Sequence, residues 1–222
     1  MKLLIYGAGN LAKLVYEYIT ATMLDLEVVF VVDDQYLKLD SLMGCPVVSG
    51  QTINTRFPSS QWKMFVAVGY KSMRARKYCF DRVNEMGYQF INVFASDAGT
   101  SQNVKFGVNN IIFPGVVIEP FSEIGNNNVF WSTSTICHDC VIGAHNFFAA
   151  NTTVGGKVVI GNSNFFGFGS TVLQGIHLGS ENLVSAHSLV TKDMSDLGKY
   201  RGVPARNVGS IDERVGILIN DP

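Results

Sequence analysis

The residues of this chain best suited to catalysis are the adjacent His138 and Asp139, in the segment Cys-His-Asp-Cys. An imidazole titrates near neutral pH and can therefore serve as a general base. A neighbouring carboxylate can orient the ring and stabilise its charged form. The pair predicts general-base chemistry, and the alternative is a solvated corner histidine beside a solvated aspartate.

The other cysteines and histidines do not predict a metal or redox site. Cys137 and Cys140 have C-x-x-C spacing, but no second pair completes a zinc site. His145, His177 and His187 do not share one phase of the eighteen-residue repeat described below. We therefore expect no metal, and we interpret these three histidines as corner residues or ligand contacts.

The elements that must position His138 form a regular repeat from Ile112 to Val190. Every sixth residue is large and apolar, without one insertion, and a small or short polar residue mostly lies two positions earlier. This period predicts one short strand and one corner per hexad, stacked into a parallel β-helix. The apolar positions are Ile112, Ile118, Ile124, Phe130, Ile136, Ile142, Phe148, Val154, Ile160, Phe166, Val172, Leu178, Val184 and Val190.

Three hexads make one triangular coil, and the eighteen-residue period of such a coil is visible too. Columns of like residues recur at this spacing: Ile124, Ile142, Ile160 and Leu178, each followed by Gly; Phe130, Phe148 and Phe166; and Ile136, Val154, Val172 and Val190. Each column is expected to rise by about 4.8 Å per coil, the distance between paired strands. His138 and Gly156 are one period apart and should stack at one corner.

The composition restricts the partners of the protein. The net charge is −1 over 222 residues, which argues against nucleic acid or an anionic membrane as a partner. Charged residues make up only 16%, and few of them lie between Val104 and Thr191. This deficit predicts that other subunits cover part of the repeat. We find no signal-peptide pattern and no apolar run long enough to span a membrane, so we expect a soluble cytoplasmic protein.

The first part of the chain has the pattern of a β-α-β unit. An apolar strand at 3–6 leads into a G-x-G-x-x-A turn at 7–12, a helical pattern follows, and a second strand at 27–32 ends at Asp33 and Asp34. The glycines allow phosphates to approach the backbone, and the helix N-terminus offers N–H groups to them. Asp33 or Asp34 could accept hydrogen bonds from a ribose or a base.

Three interpretations of this turn remain. A dinucleotide such as NAD is the nearest motif match, but about ninety residues before the repeats are few for a complete dehydrogenase. The turn could instead only pack the helix against the strand. A nucleotide or nucleotide-sugar ligand is the interpretation that we favour.

A second strand–helix unit completes the predicted N-terminal domain. A strand at 62–68 ends at Gly69 and Tyr70, a helix with basic residues at its start follows, and another strand covers 89–93. Arg74 lies after a strand end, where it could contact a phosphate, or it could lie on a solvated face. We therefore predict a small Rossmann-like α/β domain at 1–95, a β-helix at 104–195 and an irregular tail at 196–222.

Taken together, these motifs resemble the sugar acyltransferases with a left-handed parallel β-helix, which include sialic acid O-acetyltransferases. The likeness is greatest to the family that N-acetylates nucleotide-linked 4-amino-4,6-dideoxy sugars for bacterial surface glycans such as lipopolysaccharide O-antigen. It covers nearly the whole chain. The segments that carry it are Tyr-Gly-Ala-Gly-Asn at 6–10, Asp-Asp at 33–34, Val-Gly-Tyr at 68–70, Ile-Cys-His-Asp-Cys-Val-Ile-Gly at 136–143, Gly-Gly at 155–156, Phe-Gly-Phe-Gly-Ser at 166–170 and Gly-Val-Pro-Ala-Arg at 202–206.

The resemblance implies a fold, a cosubstrate and a site. The α/β domain would hold the nucleotide sugar, and acetyl-CoA would lie between two left-handed β-helices of a homotrimer. His138 corresponds to the catalytic base, Asp139 to its acidic neighbour, and Gly156 to the residue whose N–H contacts the thioester carbonyl. Phe168 and Ala186 correspond to positions that line the pantetheine groove. The positions that correspond to the nucleotide-sugar pocket are Gly7, Gly9, Asn10, Asp33, Asp34 and Gly69, to which we add Tyr70 and Arg74.

One position departs from the family pattern. Members often carry a second histidine nine residues after the base, which contacts the cofactor; this chain has Phe147 there and His145 two residues earlier. We assign Phe147 to the cofactor groove, with the second-histidine contact left open.

The function that we predict is N-acetylation by direct attack of the sugar amine on acetyl-CoA. O-acetylation of a sugar or of sialic acid, with the same His–Asp pair, is the first alternative. A non-catalytic trimer that binds a nucleotide sugar is the second.

Overall fold

The computed structural model describes residues 1–23 and 25–219. Its N-terminal part is a three-layer α/β domain around a sheet with the strand order β3-β4-β2-β1-β5-β6. Only β3 pairs antiparallel, with β4. The elements are β1 Lys2–Tyr6, α1 Asn10–Thr22, β2 Glu27–Val32, β3 Ser41–Leu42, β4 Cys45–Ser49, α2 Ile53–Arg56, β5 Lys63–Val66, α3 Met73–Asn84 and β6 Gln89–Phe90. Two short 3-10 turns cover Asp34–Tyr36 and Gly50–Thr52.

The two sides of this sheet are covered differently. The buried side of α1, with Val15 and Ile19, belongs to a core that continues without interruption into the β-helix. The ring of Tyr18 contacts Phe113 of the β-helix at 5.4 Å. The opposite side of the sheet packs under Ile53 and Val83, from α2 and α3. The α/β domain and the β-helix therefore share one hydrophobic core through α1.

The rest of the chain is a parallel β-helix with three faces made of two-residue strands. Face 1 contains β7 Val93–Phe94, β10 Ile111–Ile112, β13 Val129–Phe130, β16 Phe147–Phe148, β19 Phe165–Phe166 and β22 Leu183–Val184. Face 2 contains β8 Gly99–Thr100, β11 Val117–Ile118, β14 Thr135–Ile136, β17 Thr153–Val154, β20 Thr171–Val172 and β23 Leu189–Val190. Face 3 contains β9 Lys105–Phe106, β12 Glu123–Ile124, β15 Val141–Ile142, β18 Val159–Ile160 and β21 His177–Leu178.

The second residue of most strands points inward, as the hexad pattern predicts. Phe130, Phe148 and Phe166 are fully buried and stack nearly parallel, with ring centroids 4.9 and 4.7 Å apart. A second, outer stack joins Phe147 to Phe165 at 5.2 Å on face 1. Each column buries its side chains only because the next coil covers it.

Three corners connect the faces. The first corner joins face 1 to face 2, the second joins face 2 to face 3, and the third joins face 3 to face 1 of the next coil. Short polar residues at the third corner are buried and form a ladder, in which each asparagine side chain accepts a hydrogen bond from the backbone N–H one coil later. Its members are Asn110, Asn128, Asn146, Asn164 and Asn182, with N···O distances of 2.8 Å. The ladder satisfies backbone donors that a corner would otherwise leave buried without a partner.

Three predictions about the extent of elements need correction. The β-helix begins at Val93, eleven residues before the predicted start at 104, because β7 and β8 already pair with the coil above. The predicted strand at 89–93 is accordingly divided: β6 belongs to the α/β sheet and β7 to the β-helix. The tail predicted as irregular contains β24 Gly198–Arg201 and β25 Arg206–Ser210, an antiparallel pair that extends face 1.

Candidate active site

The predicted catalytic pair lies at the second corner, directly after β14. His138 Nδ1 is 2.8 Å from Asp139 Oδ2, and the side chains are 47% and 46% exposed. The backbone N–H of His138 donates to Glu119 Oε2 at 2.9 Å. Because the carboxylate accepts a bond from Nδ1–H, the lone pair of the neutral ring lies on Nε2. The arrangement gives an accessible base with a fixed tautomer.

Gly156 lies one coil above His138 at the same corner. A Cβ atom on Gly156 would stand 2.8 Å from His138 Nε2, so any other residue would push the ring away. The Gly156 carbonyl accepts a bond from Gly175 N–H. Its own N–H has no hydrogen-bond partner among the residues that the structure describes. A free backbone donor therefore lies beside the basic nitrogen, at the spacing that the repeat predicts.

Of the two thiols that flank the His138–Asp139 pair, that of Cys140 is buried and that of Cys137 is partly buried. Cys140 Sγ lies 3.2 Å from the Gly155 carbonyl oxygen, and burial raises the pKa of this thiol to about 11. Burial also raises the pKa of Cys137, with a further contribution from Glu119. A thiol with a raised pKa is a poor nucleophile at neutral pH. Among the described residues, no cluster of three or more His, Cys, Asp or Glu side chains could hold a metal ion.

An apolar groove occupies face 1 and the first corner. It encloses about 330 Å³ and is lined by Tyr70, Trp131, Phe147, Ala149, Phe165, Gly167, Phe168, Leu183, Val184, Ser185, Ala186 and Ile219. The three side chains predicted to line the cofactor groove, Phe147, Phe168 and Ala186, all belong to it. Tyr70, which we predicted in the nucleotide pocket, packs its ring on Phe147 at 4.8 Å. The groove and His138 lie at different corners of the same chain.

The glycine turn of the α/β domain is placed as the motif predicts. Gly7 has a φ of +128°, and a Cβ there would stand 2.7 Å from the Ala67 carbonyl oxygen. Gly9 precedes α1 without a side-chain cap, and Asn10 is the first residue of the helix. Gly9 and Asn10 are exposed, so the N-terminal end of α1 is open to solvent. Gly69 is exposed as well, with free space around it.

Asp33 and Asp34 already have partners. Arg82 Nη2 lies 2.6 Å from Asp33 Oδ1, and the Tyr6 hydroxyl donates to the same oxygen. Burial, and then the bond to Asp33, raise the pKa of Tyr6. Asp34 accepts a hydrogen bond from the Ser49 hydroxyl. Arg82, on α3, is thus a cation beside the predicted ribose contact that sequence reasoning missed.

Arg74 has an ion-pair partner that the prediction did not include. Its guanidinium makes a two-bond ion pair with Glu181, with Nε–Oε1 at 2.7 Å and Nη2–Oε2 at 2.6 Å. Nη1 donates to the Glu213 carbonyl at 2.5 Å. A Cβ on Gly216 would stand 2.6 Å from Arg74 Nε. Arg74 therefore fastens α3 to the β-helix and to the C-terminal segment, and a phosphate would have to displace Glu181.

Fold and site together define a class: an α/β domain joined to a hexapeptide-repeat β-helix that carries a histidine–aspartate pair at a corner. Residues 2–83 match the family described as the PglD N-terminal domain. Residues 122–156 match the bacterial transferase hexapeptide family, described with six repeats. No curated protein matches the chain.

Solved structures match nearly the whole chain. A perosamine N-acetyltransferase from Caulobacter crescentus, in complex with CoA and GDP-perosamine, is 26% identical, with a TM-score of 0.86 over 95% of this chain and 98% of that one. The acetyltransferase domain of PglB from Neisseria gonorrhoeae, in complex with acetyl coenzyme A, is 24% identical, with a TM-score of 0.84 over 93% and 98%. WeeI from Acinetobacter baumannii is 22% identical, with a TM-score of 0.82 over 94% and 100%.

These matches confirm two predictions. The fold class is a small α/β domain followed by a left-handed parallel β-helix. The resemblance to nucleotide-amino-sugar N-acetyltransferases is confirmed as well. No helix in the described part of the chain is long and apolar enough to cross a membrane.

Proposed function

We propose that this protein transfers the acetyl group of acetyl-CoA to the 4-amino group of a nucleotide-linked 4-amino-4,6-dideoxy sugar. The observation that carries the proposal is the likeness to the perosamine N-acetyltransferase, which spans both domains at 26% identity. The corner of His138, Asp139 and Gly156 supplies the base and the N–H donor that such a transfer needs. The product serves surface-glycan synthesis such as that of lipopolysaccharide O-antigen, and the reaction takes place in the cytoplasm, where acetyl-CoA is made.

His138 and Gly156 have complementary roles in this reaction. The sugar amine forms the new C–N bond at the acetyl carbonyl, and His138 Nε2 takes up the proton that the amine loses. Asp139 stabilises the resulting imidazolium through Nδ1–H. The Gly156 N–H donates to the oxygen of the tetrahedral intermediate, and the C–S bond then breaks to release the CoA thiolate, which regains a proton. Loss of one such oxyanion donor costs about 3–4 kcal/mol in a well-studied protease.

The nucleotide binds at the turn of Gly7 and Gly9, where the open N-terminus of α1 favours phosphate. Asn10 borders the same turn, and Gly69 leaves space for the ligand on the neighbouring strand end. Asp33 binds the nucleotide, and its ion pair with Arg82 holds the carboxylate in place at the end of β2.

The active site is completed by a second copy of the chain in a homotrimer. Support comes from the separation of the apolar groove and His138, which occupy different corners of one chain. Exposed apolar side chains, such as Val117 on face 2 and Val141 on face 3, offer surfaces for such contacts. In the trimer, the groove of one subunit faces the His138 corner of its neighbour and holds the pantetheine of acetyl-CoA.

The experiment is a panel of UDP-, GDP- and dTDP-linked sugars, with either an amine or a hydroxyl at C4, incubated with acetyl-CoA and followed by thiol release. We expect turnover of an amine acceptor, and a loss of at least about a hundredfold for His138→Ala. His177→Ala, on exposed face 3, is the matched control and should keep full activity. Turnover of hydroxyl acceptors alone would mean O-acetylation. A chain that binds nucleotide sugars but neither CoA nor acetyl-CoA in a thermal-shift assay would be a non-catalytic binder.

A further inference from the structure

The loop Ala67–Tyr70 links the two halves of the proposed site within one chain. At one end, the Ala67 backbone packs against Gly7 of the nucleotide turn, with no room for a Cβ between them. At the other end, the Tyr70 ring contacts Phe147 in the apolar groove. Whatever fixes this loop also fixes the nucleotide turn relative to the groove. We refer to it below as the substrate loop.

Arg76, on α3, bonds the substrate loop to the β-helix. Its Nε donates to the Val68 carbonyl at 3.1 Å. Its Nη2 donates to Asn127 at the third corner, to the backbone oxygen at 3.0 Å and to Oδ1 at 3.1 Å. The side chain is 2% exposed. One buried guanidinium therefore joins a loop of the α/β domain to a coil that lies 51 residues further along the chain.

Asn109, one coil below Asn127, makes the second connection. Its Oδ1 accepts a bond from Val66 N–H at 2.7 Å, and its Nδ2 donates to the Val66 carbonyl at 3.1 Å. The same Nδ2 donates to Asn127 Oδ1 at 2.8 Å. The end of β5 is thus paired to a β-helix corner as if to another strand, directly before the substrate loop begins.

Stability alone does not account for this network. Burial lowers the pKa of Arg76 to about 10, so the group stays charged at neutral pH. Among the described residues, no carboxylate pairs with it, and its Nη1 is buried without a partner. A buried cation without a counter-ion costs several kcal/mol, and well-packed apolar residues often stabilise a fold as well or better. What an apolar residue cannot supply is the directional link between Val68 and Asn127.

We propose that Arg76, assisted by Asn109 and Asn127, is a positioning residue that holds the substrate loop in register with the β-helix. The inference rests on the proposed function for its kinetic consequence. Removing Arg76 should weaken use of the nucleotide sugar, whose contacts depend on the loop. Binding of CoA should change much less, because ten of the twelve residues that line the apolar groove belong to the β-helix and only Tyr70 belongs to the substrate loop.

The kinetic experiment compares Arg76→Met and Arg76→Lys with the wild type, using GDP-perosamine and acetyl-CoA. We expect the KM for GDP-perosamine to rise at least about tenfold in both variants, because a lysine cannot reproduce the fork of the guanidinium. The Kd for CoA, measured by calorimetry, should stay within about twofold. Asn146→Ala is the matched control: it removes a buried side chain of the asparagine ladder, lowers Tm, and should leave the KM unchanged. An equal rise in KM for Asn146→Ala and Arg76→Met would overturn the proposal.

A second measurement does not depend on turnover. Amide hydrogen exchange of the full-length variants should show faster exchange confined to 66–70 in Arg76→Met and in the milder Asn109→Ala, which keeps the arginine. Unchanged exchange in this segment would refute the positioning role, whatever the enzyme acts on. Faster exchange in the loop together with no turnover of any sugar by the wild type would instead contradict the proposed function alone.

Discussion

His145 makes folding stability sensitive to mild acid. It is 7% exposed, its ring contacts Phe80 edge-on, and its Nδ1 lies 3.0 Å from Asn127 Nδ2. Because an amide nitrogen only donates, Nδ1 must accept, and the ring must be neutral. Burial, and then the positive charge of Arg76, lower the pKa of His145 from 6.5 to about 4.

The sign and size of the change in folding stability follow from the difference between the pKa of His145 in the unfolded and in the folded chain. Above pH 6.5 the histidine is neutral in both states, and its stabilising contribution is complete. As the pH falls from 6.5 towards 4, the unfolded chain takes up a proton that the folded chain excludes, so the free energy of unfolding decreases. At about 1.4 kcal/mol per pH unit, the loss from His145 is about 2 kcal/mol at pH 5 and about 3 kcal/mol at pH 4.

The assay is urea unfolding of the wild type and His145→Gln at pH 7 and pH 5, at one fixed protein concentration. The glutamine side chain keeps an acceptor for Asn127 but does not titrate. At pH 7 the variant should be less stable than the wild type, because glutamine packs less well than the imidazole ring. The stability gap between the two proteins should shrink by about 2 kcal/mol at pH 5. His177→Gln, exposed on face 3, should show no such convergence. A gap of equal size at both pH values would refute the neutral, buried state that we describe.

Three further outcomes are expected. Gly156→Ala should lower kcat by about 10²–10³-fold in the thiol-release assay, because its Cβ would displace the His138 ring and disturb the N–H donor. Arg74→Ala should lower Tm by several degrees in calorimetry, since it leaves Glu181 with no cation, whereas the double variant with Glu181→Ala should recover part of the loss. Phe148→Ala should cost about 3–5 kcal/mol in urea unfolding, because it opens a cavity between two stacked rings.

Each of these outcomes has a control. Gly44→Ala changes a glycine between β3 and β4 with open space and a φ of +77°, so it should lose stability but keep kcat. Equal kcat in Gly156→Ala and the wild type would show that this corner does not catalyse. Unchanged Tm in Arg74→Ala would mean that the ion pair with Glu181 does not stabilise the contact between α3 and the β-helix. A Phe148→Ala loss below about 1 kcal/mol would mean that the stack relaxes into the cavity.

The repeat could be read from sequence because its period is local and uninterrupted. Every apolar hexad position from Ile112 onward lies at the end of a two-residue strand. The first coil was not predicted because Thr100 occupies the hexad position between Phe94 and Phe106, where the pattern requires a large apolar residue. One hexad position without a large apolar residue is enough to make the end coil undetectable from the sequence pattern. The backbone pairing nevertheless continues through Thr100, because β8 pairs with β11.

Part of the site was predictable for the same reason, and part was not. The neighbourhood of His138 and Gly156 follows from one period of the repeat. Arg76 pairs with Asn127, 51 positions away across the interface between the two domains, and Arg82 pairs with Asp33, 49 positions away within the α/β domain. No periodicity describes either pair. Arg74 could not be assigned an ion-pair partner from the sequence, because basic residues after a strand end have the same pattern whether they bind a phosphate or a glutamate. Its partner, Glu181, is 107 residues distant.

The docking of α3 has a consequence for how this protein can change in length. Repeat proteins commonly grow or shrink by whole repeats, since the core stays continuous. Here the same short helix bonds to two coils that are three turns apart, through Arg76 to Asn127 and Arg74 to Glu181. An extra coil between them would move the second partner by about 4.8 Å, beyond the reach of a rigid helix. A coil inserted between Asn127 and Glu181 would therefore cost α3 one of these two side-chain contacts with the β-helix, whereas a coil added outside this span would leave both in place.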